Sequence, residues 1–171
     1  MRFMVKNKKI LMLILLVPML LLASCGGNHD MKKFPVGKDG YPKENIVLIN
    51  GKTYTLDDYD KVLRGNIGES EISLESDSEQ LEILLPVIGA LTEWSASESN
   101  DGFVLEKYEL YETDMKGIEM KEGSSAAIQK FVFRVPANEK ATVELKHIQF
   151  GEKEKAFSDR AYDYLLRITL K

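Results

Sequence analysis

The chain has 171 residues, is 44% hydrophobic and sets 27 Asp plus Glu against 23 Lys plus Arg, a formal net charge of −4. Four of those cations fall in the first nine residues, so the part beyond position 24 stands at −8, with 19 basic and 27 acidic side chains. That balance excludes the basic face that binding to a phosphate backbone requires, so nucleic acid is not an expected partner, and charge alone does not hold the chain to anionic lipid.

Arg2, Lys6, Lys8 and Lys9 precede an apolar run of 14 residues, Ile10 to Ala23, that contains Pro18. Spanning a bilayer core takes roughly 20 apolar residues. A basic head, a short apolar run and a small-residue end instead read as a cleaved export signal, residues 1–24. Leu22-Ala23-Ser24-Cys25 puts the chain's only cysteine at the junction and resembles the bacterial lipobox. The resemblance implies cleavage before Cys25 and a diacylglycerol on its thiol. Acyl chains contribute about 0.8 kcal/mol per buried methylene. The expected address is therefore extracytoplasmic, lipid-anchored to the cell membrane or the outer membrane through Cys25. With that thiol spent, no disulfide is expected within the chain, although the compartment permits one.

Residues 25–42 read as the lipidated cysteine and a flexible tether, because Gly26, Gly27, Pro35, Gly37, Gly40 and Pro42 break every regular period. Residues 43–66 read as a hairpin and short helix added ahead of the main sheet. Ile46-Val47-Leu48-Ile49 and Lys52-Thr53-Tyr54-Thr55 flank Asn50-Gly51, which favours a two-residue turn with positive φ. Asp57 or Asp58 is expected to cap a helix through Tyr59, Val62 and Leu63, stopped by Gly65.

From residue 67 the chain alternates. Ile72 and Leu74, then Leu81, Ile83 and Leu85, share a face against Ser73, Glu75 and Glu82, the pattern of strands wet on one side. Pro86-Val87-Ile88-Gly89-Ala90-Leu91 is an apolar stretch where a loop should be polar, and Trp94 behind it is expected to anchor the core. Phe103 to Tyr111, then Phe131, Phe133 and Val135, then Val143, Leu145 and His147, and last Tyr162 to Leu170 continue the strands, with a long loop over 113–125. Seven or eight strands and almost no helix predict an all-β chain, a sandwich or barrel, with an immunoglobulin-like antiparallel β-sandwich over residues 67–171 favoured.

Signals of chemistry are sparse. His29 falls in the tether and His147 in phase with Val143 and Leu145, so neither stands in a cluster of metal ligands. Asp57-Asp58-Tyr59-Asp60 lacks the Gly and distal Glu of a calcium loop and reads as a helix start. No Gly-x-Ser-x-Gly elbow accompanies His147. The chain is expected to be no enzyme and to carry no cofactor and no metal. A hydrolase would need His147 to meet both a carboxylate and a serine in a cleft.

Leu85-Pro86-Val87-Ile88-Gly89 leaves an apolar strand ahead of Trp94; Gly123-Ser124-Ser125-Ala126 precedes Phe131-Val132-Phe133; and Gln149-Phe150-Gly151 follows the Val143–His147 strand. With this strand order, residues 70–171 resemble the chagasin-type inhibitors of papain-like cysteine proteases, immunoglobulin-like domains that plug an active-site cleft with three loops. The family's first loop reads Asn-Pro-Thr-Thr-Gly and its third Arg-Pro-Trp; this chain keeps the Pro-to-Gly spacing and one glycine of the second loop. The resemblance implies steric occlusion of a cysteine protease, with Pro86, Val87, Ile88, Gly89 and Ala90 as the wedge and Gly123, Ser124, Ser125, Gln149, Phe150 and Gly151 as flanking contacts. The alternative is a structural or accessory envelope lipoprotein that binds a partner protein or glycan. In that case Val87 and Ile88 fold onto the core, and Tyr108, Tyr111 and Phe150 form the exposed patch.

Overall fold

Two sheets face each other across one core. A computed structural model describes residues 34–75, 78–87, 89–97, 102–112, 126–136 and 141–171. The export signal, Cys25, His29, Ile88 and Gly123 to Ser125 lie outside the described residues. In chain order the elements are β1 (Ile46–Ile49), β2 (Lys52–Thr55), α1 (Tyr59–Val62), β3 (Gly68–Leu74), β4 (Gln80–Pro86), β5 (Thr92–Ala96), β6 (Val104–Glu112), β7 (Ala127–Arg134), β8 (Ala141–Gln149) and β9 (Tyr164–Leu170).

One sheet runs β2-β1-β4-β7-β6 and the other β3-β9-β8-β5. If β4 to β9 stand for strands B to G, this is the immunoglobulin division of B, E and D on one sheet against C, F and G on the other. The sandwich is mixed rather than wholly antiparallel, because β3 runs parallel to β9 from Gly68↔Tyr164 to Leu74↔Leu170. A parallel pair needs a long connection, and here that connection is the rest of the domain.

The hairpin is part of the main sheet. β1 pairs with β4 through Leu48↔Leu84 and Ile49↔Ile83. Asn50 and Gly51 both take positive φ, 48° and 75°, as a tight hairpin turn requires. Val47, Ile49 and Tyr59 join the same core as Trp94 and Phe133. Asp58 precedes α1 in a left-handed conformation and makes no side-chain cap. Its carboxylate pairs with Lys61 Nζ at 2.7 Å instead.

Part of the expected tether is folded. Val36 bridges Pro42, and Gly37 N–H donates to Tyr41 O at 2.8 Å. Phe34 is buried with Leu48, Leu84 and Ile128, a second apolar cluster apart from the main core. Burial of Phe34 and Tyr41 outweighs the breaking tendency of the surrounding Gly and Pro.

The main core is aromatic at its centre. Trp94 meets Tyr164 edge-on, with centroids 5.9 Å apart, and Phe103 meets Phe133 at 6.1 Å. Such pairs contribute about 0.5–1.5 kcal/mol each beyond area burial. Tyr164 is fully buried. Its hydroxyl shares a hydrogen bond of 2.7 Å with Ser70 Oγ and donates to Asp57 O. Burial pushes the Tyr164 phenol up to about 12, against the lowering effect of Ser70. Burial, and then the hydrogen bond to Glu44, raise Tyr59 as well.

These phenols make the fold base-sensitive. The unfolded chain loses its tyrosine protons near pH 10, whereas the native Tyr164 keeps its proton to about 12. Stability contributed by the protonated phenol is therefore complete below pH 10 and lost as pH rises toward 12, about 3 kcal/mol for Tyr164 alone. Urea midpoints taken across that window should fall steeply in the native chain and less steeply in Tyr164→Phe. A midpoint flat above pH 10 would contradict the assignment.

Candidate functional site: the loop end and the adjoining cleft

Two of the three expected loops meet at one end of the sandwich. Val87 N–H donates to Ala127 O at 2.9 Å, and Phe150 N–H donates to Leu91 O at 3.1 Å. The ends of β6 and β7 adjoin them through Glu112↔Ala127. Gly123, Ser124 and Ser125 fall outside the described residues.

The first loop begins later than the spacing implies. Pro86 still belongs to β4, paired with Ile128, and Val87 is buried because its N–H continues the ladder to β7. The turn is made at Gly89, whose φ of 89° suits glycine and whose carbonyl accepts from Thr92 Oγ1 at 3.3 Å. Ala90 is exposed, and among the described residues of this loop the large apolar side chain that faces water is Leu91, 69% exposed. Beside it, Gln149 and Gly151 are exposed and Phe150 is 49% exposed. A Cβ on Gly151 would meet nothing within 4 Å, so no close approach requires that glycine.

Trp94 sets the base of this end. Its indole N–H donates to Pro86 O at 2.8 Å, tying the exit of β4 to β5. Trp94 also lies on the free edge of its sheet, where Gln129 reaches across from β7. The Gln129 amide accepts from Trp94 N–H at 2.6 Å and donates to Trp94 O at 3.1 Å and to Tyr108 Oη at 2.9 Å. Gln129 is completely buried and replaces, with one side chain, the neighbour strand that β5 lacks.

The segment after β8 folds back over the outer face of the smaller sheet. Lys146 Nζ donates to Phe157 O at 2.7 Å and lies 4.6 Å from the Phe157 ring centre and 5.0 Å from that of Tyr162. Arg160 donates to Ser95 Oγ, to Lys155 O at 2.9 Å and to Lys153 O at 2.8 Å. Glu152 accepts from Lys155 Nζ at 2.8 Å and from Ala161 N–H at 2.9 Å, which hold its carboxyl below the usual range. Between this segment and the edges of β5 and β6 lies a cleft of about 690 Å³, lined among others by Glu93, Trp94, Leu105, Tyr108, Phe157 and Arg160. Its size falls within the common range of ligand pockets, about 300–1,000 Å³.

His147 is 1% exposed and shares a 2.5 Å hydrogen bond between Nδ1 and Asp163 Oδ1. Its ring packs on Trp94 with centroids 5.2 Å apart. Nε2 is buried and finds no partner among the described residues, so the carboxylate of a triad is beside His147 while no described serine reaches it. Among the described residues, no three His, Cys, Asp or Glu side chains are placed to share a metal.

The cleft residues carry little sequence signal. Glu93 reads as one more outward acid on an alternating strand, and Lys153 to Arg160 read as a polar loop. The legible hint was Gln129, a polar residue in phase with the inward Phe131 and Phe133.

No family model matches the chain, and no curated protein does. A solved structure described as the N-terminal domain of PorA is similar at 10% identity, covering 73% of this chain and 97% of that one, with a TM-score of 0.23, too low to carry an argument.

Proposed function

We propose that the chain is a lipid-anchored extracytoplasmic binding domain that docks on a partner protein through the end formed by residues 89–91 and 149–151. The finer reading is inhibition of a papain-like cysteine protease by steric occlusion, with no covalent chemistry of its own. The observation that carries it is the adjacency of Leu91 and Phe150, both exposed, at backbone positions joined by a hydrogen bond of 3.1 Å. Paired apolar side chains on a hydrogen-bonded frame are costly to leave in water and suited to entering a groove.

Burial of Val87 and exposure of Phe150 and Tyr108 favour a second reading, an accessory envelope lipoprotein that binds a partner protein or glycan. Papain inhibition by residues 34–171 separates the two. The first reading expects inhibition that a Leu91→Asp, Phe150→Asp double variant weakens by about a hundredfold or more, the size of two hot-spot losses. No inhibition by the folded native chain removes the protease and leaves the second reading standing. Undiminished inhibition by the double variant moves the binding surface away from this end.

A further inference from the structure

The cleft beside the loop end holds a carboxylate that is only half used. Glu93 is 8% exposed on the edge strand β5, yet its Oε1 is buried with no partner among the described residues. Its Oε2 meets Lys153 Nζ at 3.2 Å, and the Lys153 side chain is 61% exposed, reaching in from a solvent-facing loop. A buried acceptor left unmet is expensive, and a point-like ammonium covers one oxygen where a planar guanidinium covers both.

The other cations lining the cleft are already committed. Arg160 is spent on Ser95 Oγ and on the carbonyls of Lys153 and Lys155, and Lys155 pairs with Glu152 at 2.8 Å. The apolar and aromatic residues that line the cleft include Leu105, Tyr108 and Phe157. Such walls take the alkyl stem of a long cationic side chain.

We propose that this cleft is a binding site for a guanidinium group, as on an arginine side chain of a peptide, with Glu93 as the recognising carboxylate. Lys153 is the internal cation that the ligand displaces. The exposed lysine swings into solvent and uncovers the buried carboxylate, so that the incoming fork takes its place at Oε2 and meets Oε1 as well. This site lies on the flank of the sandwich and does not depend on docking at Leu91 and Phe150.

The test is calorimetric titration of the full-length chain in detergent micelles with N-acetyl-arginine methylamide, and with the citrulline counterpart, which has the same shape and no charge. The native chain should bind the arginine probe and not the citrulline probe. Glu93→Gln should weaken binding by roughly tenfold or more, as loss of a charge-assisted pair does. Lys153→Met should tighten it, because the competing ammonium is gone. The proposal is overturned if neither the native chain nor Lys153→Met binds the arginine probe. Equal binding of citrulline, or a Glu93→Gln chain that is folded and binds as the native one does, overturns it equally. Should Glu93→Gln fail to fold, the citrulline comparison and the direction of the Lys153→Met change decide.

Discussion

Gln129→Leu should cost about 4 kcal/mol of stability, seen as a lowered denaturant midpoint with an unchanged slope. The substitution keeps the volume and the apolar packing of the site. What it removes is the amide that accepts from Trp94 N–H at 2.6 Å and donates to Trp94 O at 3.1 Å. Both backbone groups then face the interior with no strand and no water to replace it, at about 1–3 kcal/mol each. Tyr108 Oη loses its donor as well, but Tyr108 is 44% exposed and water can substitute there. A double-mutant cycle with Tyr108→Phe should therefore show a coupling well below the total. A loss below about 1 kcal/mol would mean that the Gln129 bridge is dispensable.

Trp94→Ala should be as severe, about 3–5 kcal/mol, the range for deleting a large buried aromatic side chain. Trp94 is 1% exposed, packs on both Tyr164 and His147, and is the chain's single tryptophan. The more informative variant is Trp94→Phe. It retains most of the packing but loses the 2.8 Å bond from the indole N–H to Pro86 O. Its cost should be nearer 1–2 kcal/mol, with the carbonyl left buried. Hydrogen exchange at the Val87 amide should then quicken more than exchange in β8, because Pro86 sits where the loop leaves the sheet. If loop and sheet exchange change equally, the tryptophan is a core filler with no particular hold on residues 87–91. That outcome would separate core stability from the placement of Leu91.

Elements whose information is local were legible in the chain itself. Asn50-Gly51 demanded a tight turn because few other dipeptides accept two positive φ values, 48° and 75° here. Period-two alternation marked β3, β4, β7, β8 and β9, since one buried face must be apolar and the other wet. Gly65 takes φ 76° two residues beyond Leu63, the C-cap of α1, so the helix stops earlier than the glycine suggested. Seven or eight strands with almost no helix pointed to a sandwich or barrel, and the two facing sheets decide for the sandwich.

Features set by distant partners were not legible. Nothing local tells β3 to lie parallel to β9, a pairing 96 residues apart from Gly68 to Tyr164. Phe34 to Pro42 reads as a tether by composition, and becomes ordered because the sheet offers Phe34 the apolar cluster of Leu48, Leu84 and Ile128. Val87 reads as a loop tip, and is buried because the β4–β7 ladder runs one residue further, to Ala127 O. The half-used carboxylate of Glu93 is the clearest case. An acid on an alternating strand should face water, but Lys153 of the fold-back after β8 pairs with Glu93, which is left 8% exposed. Alternation along a strand specifies which side a residue takes; only the tertiary structure decides what covers that side.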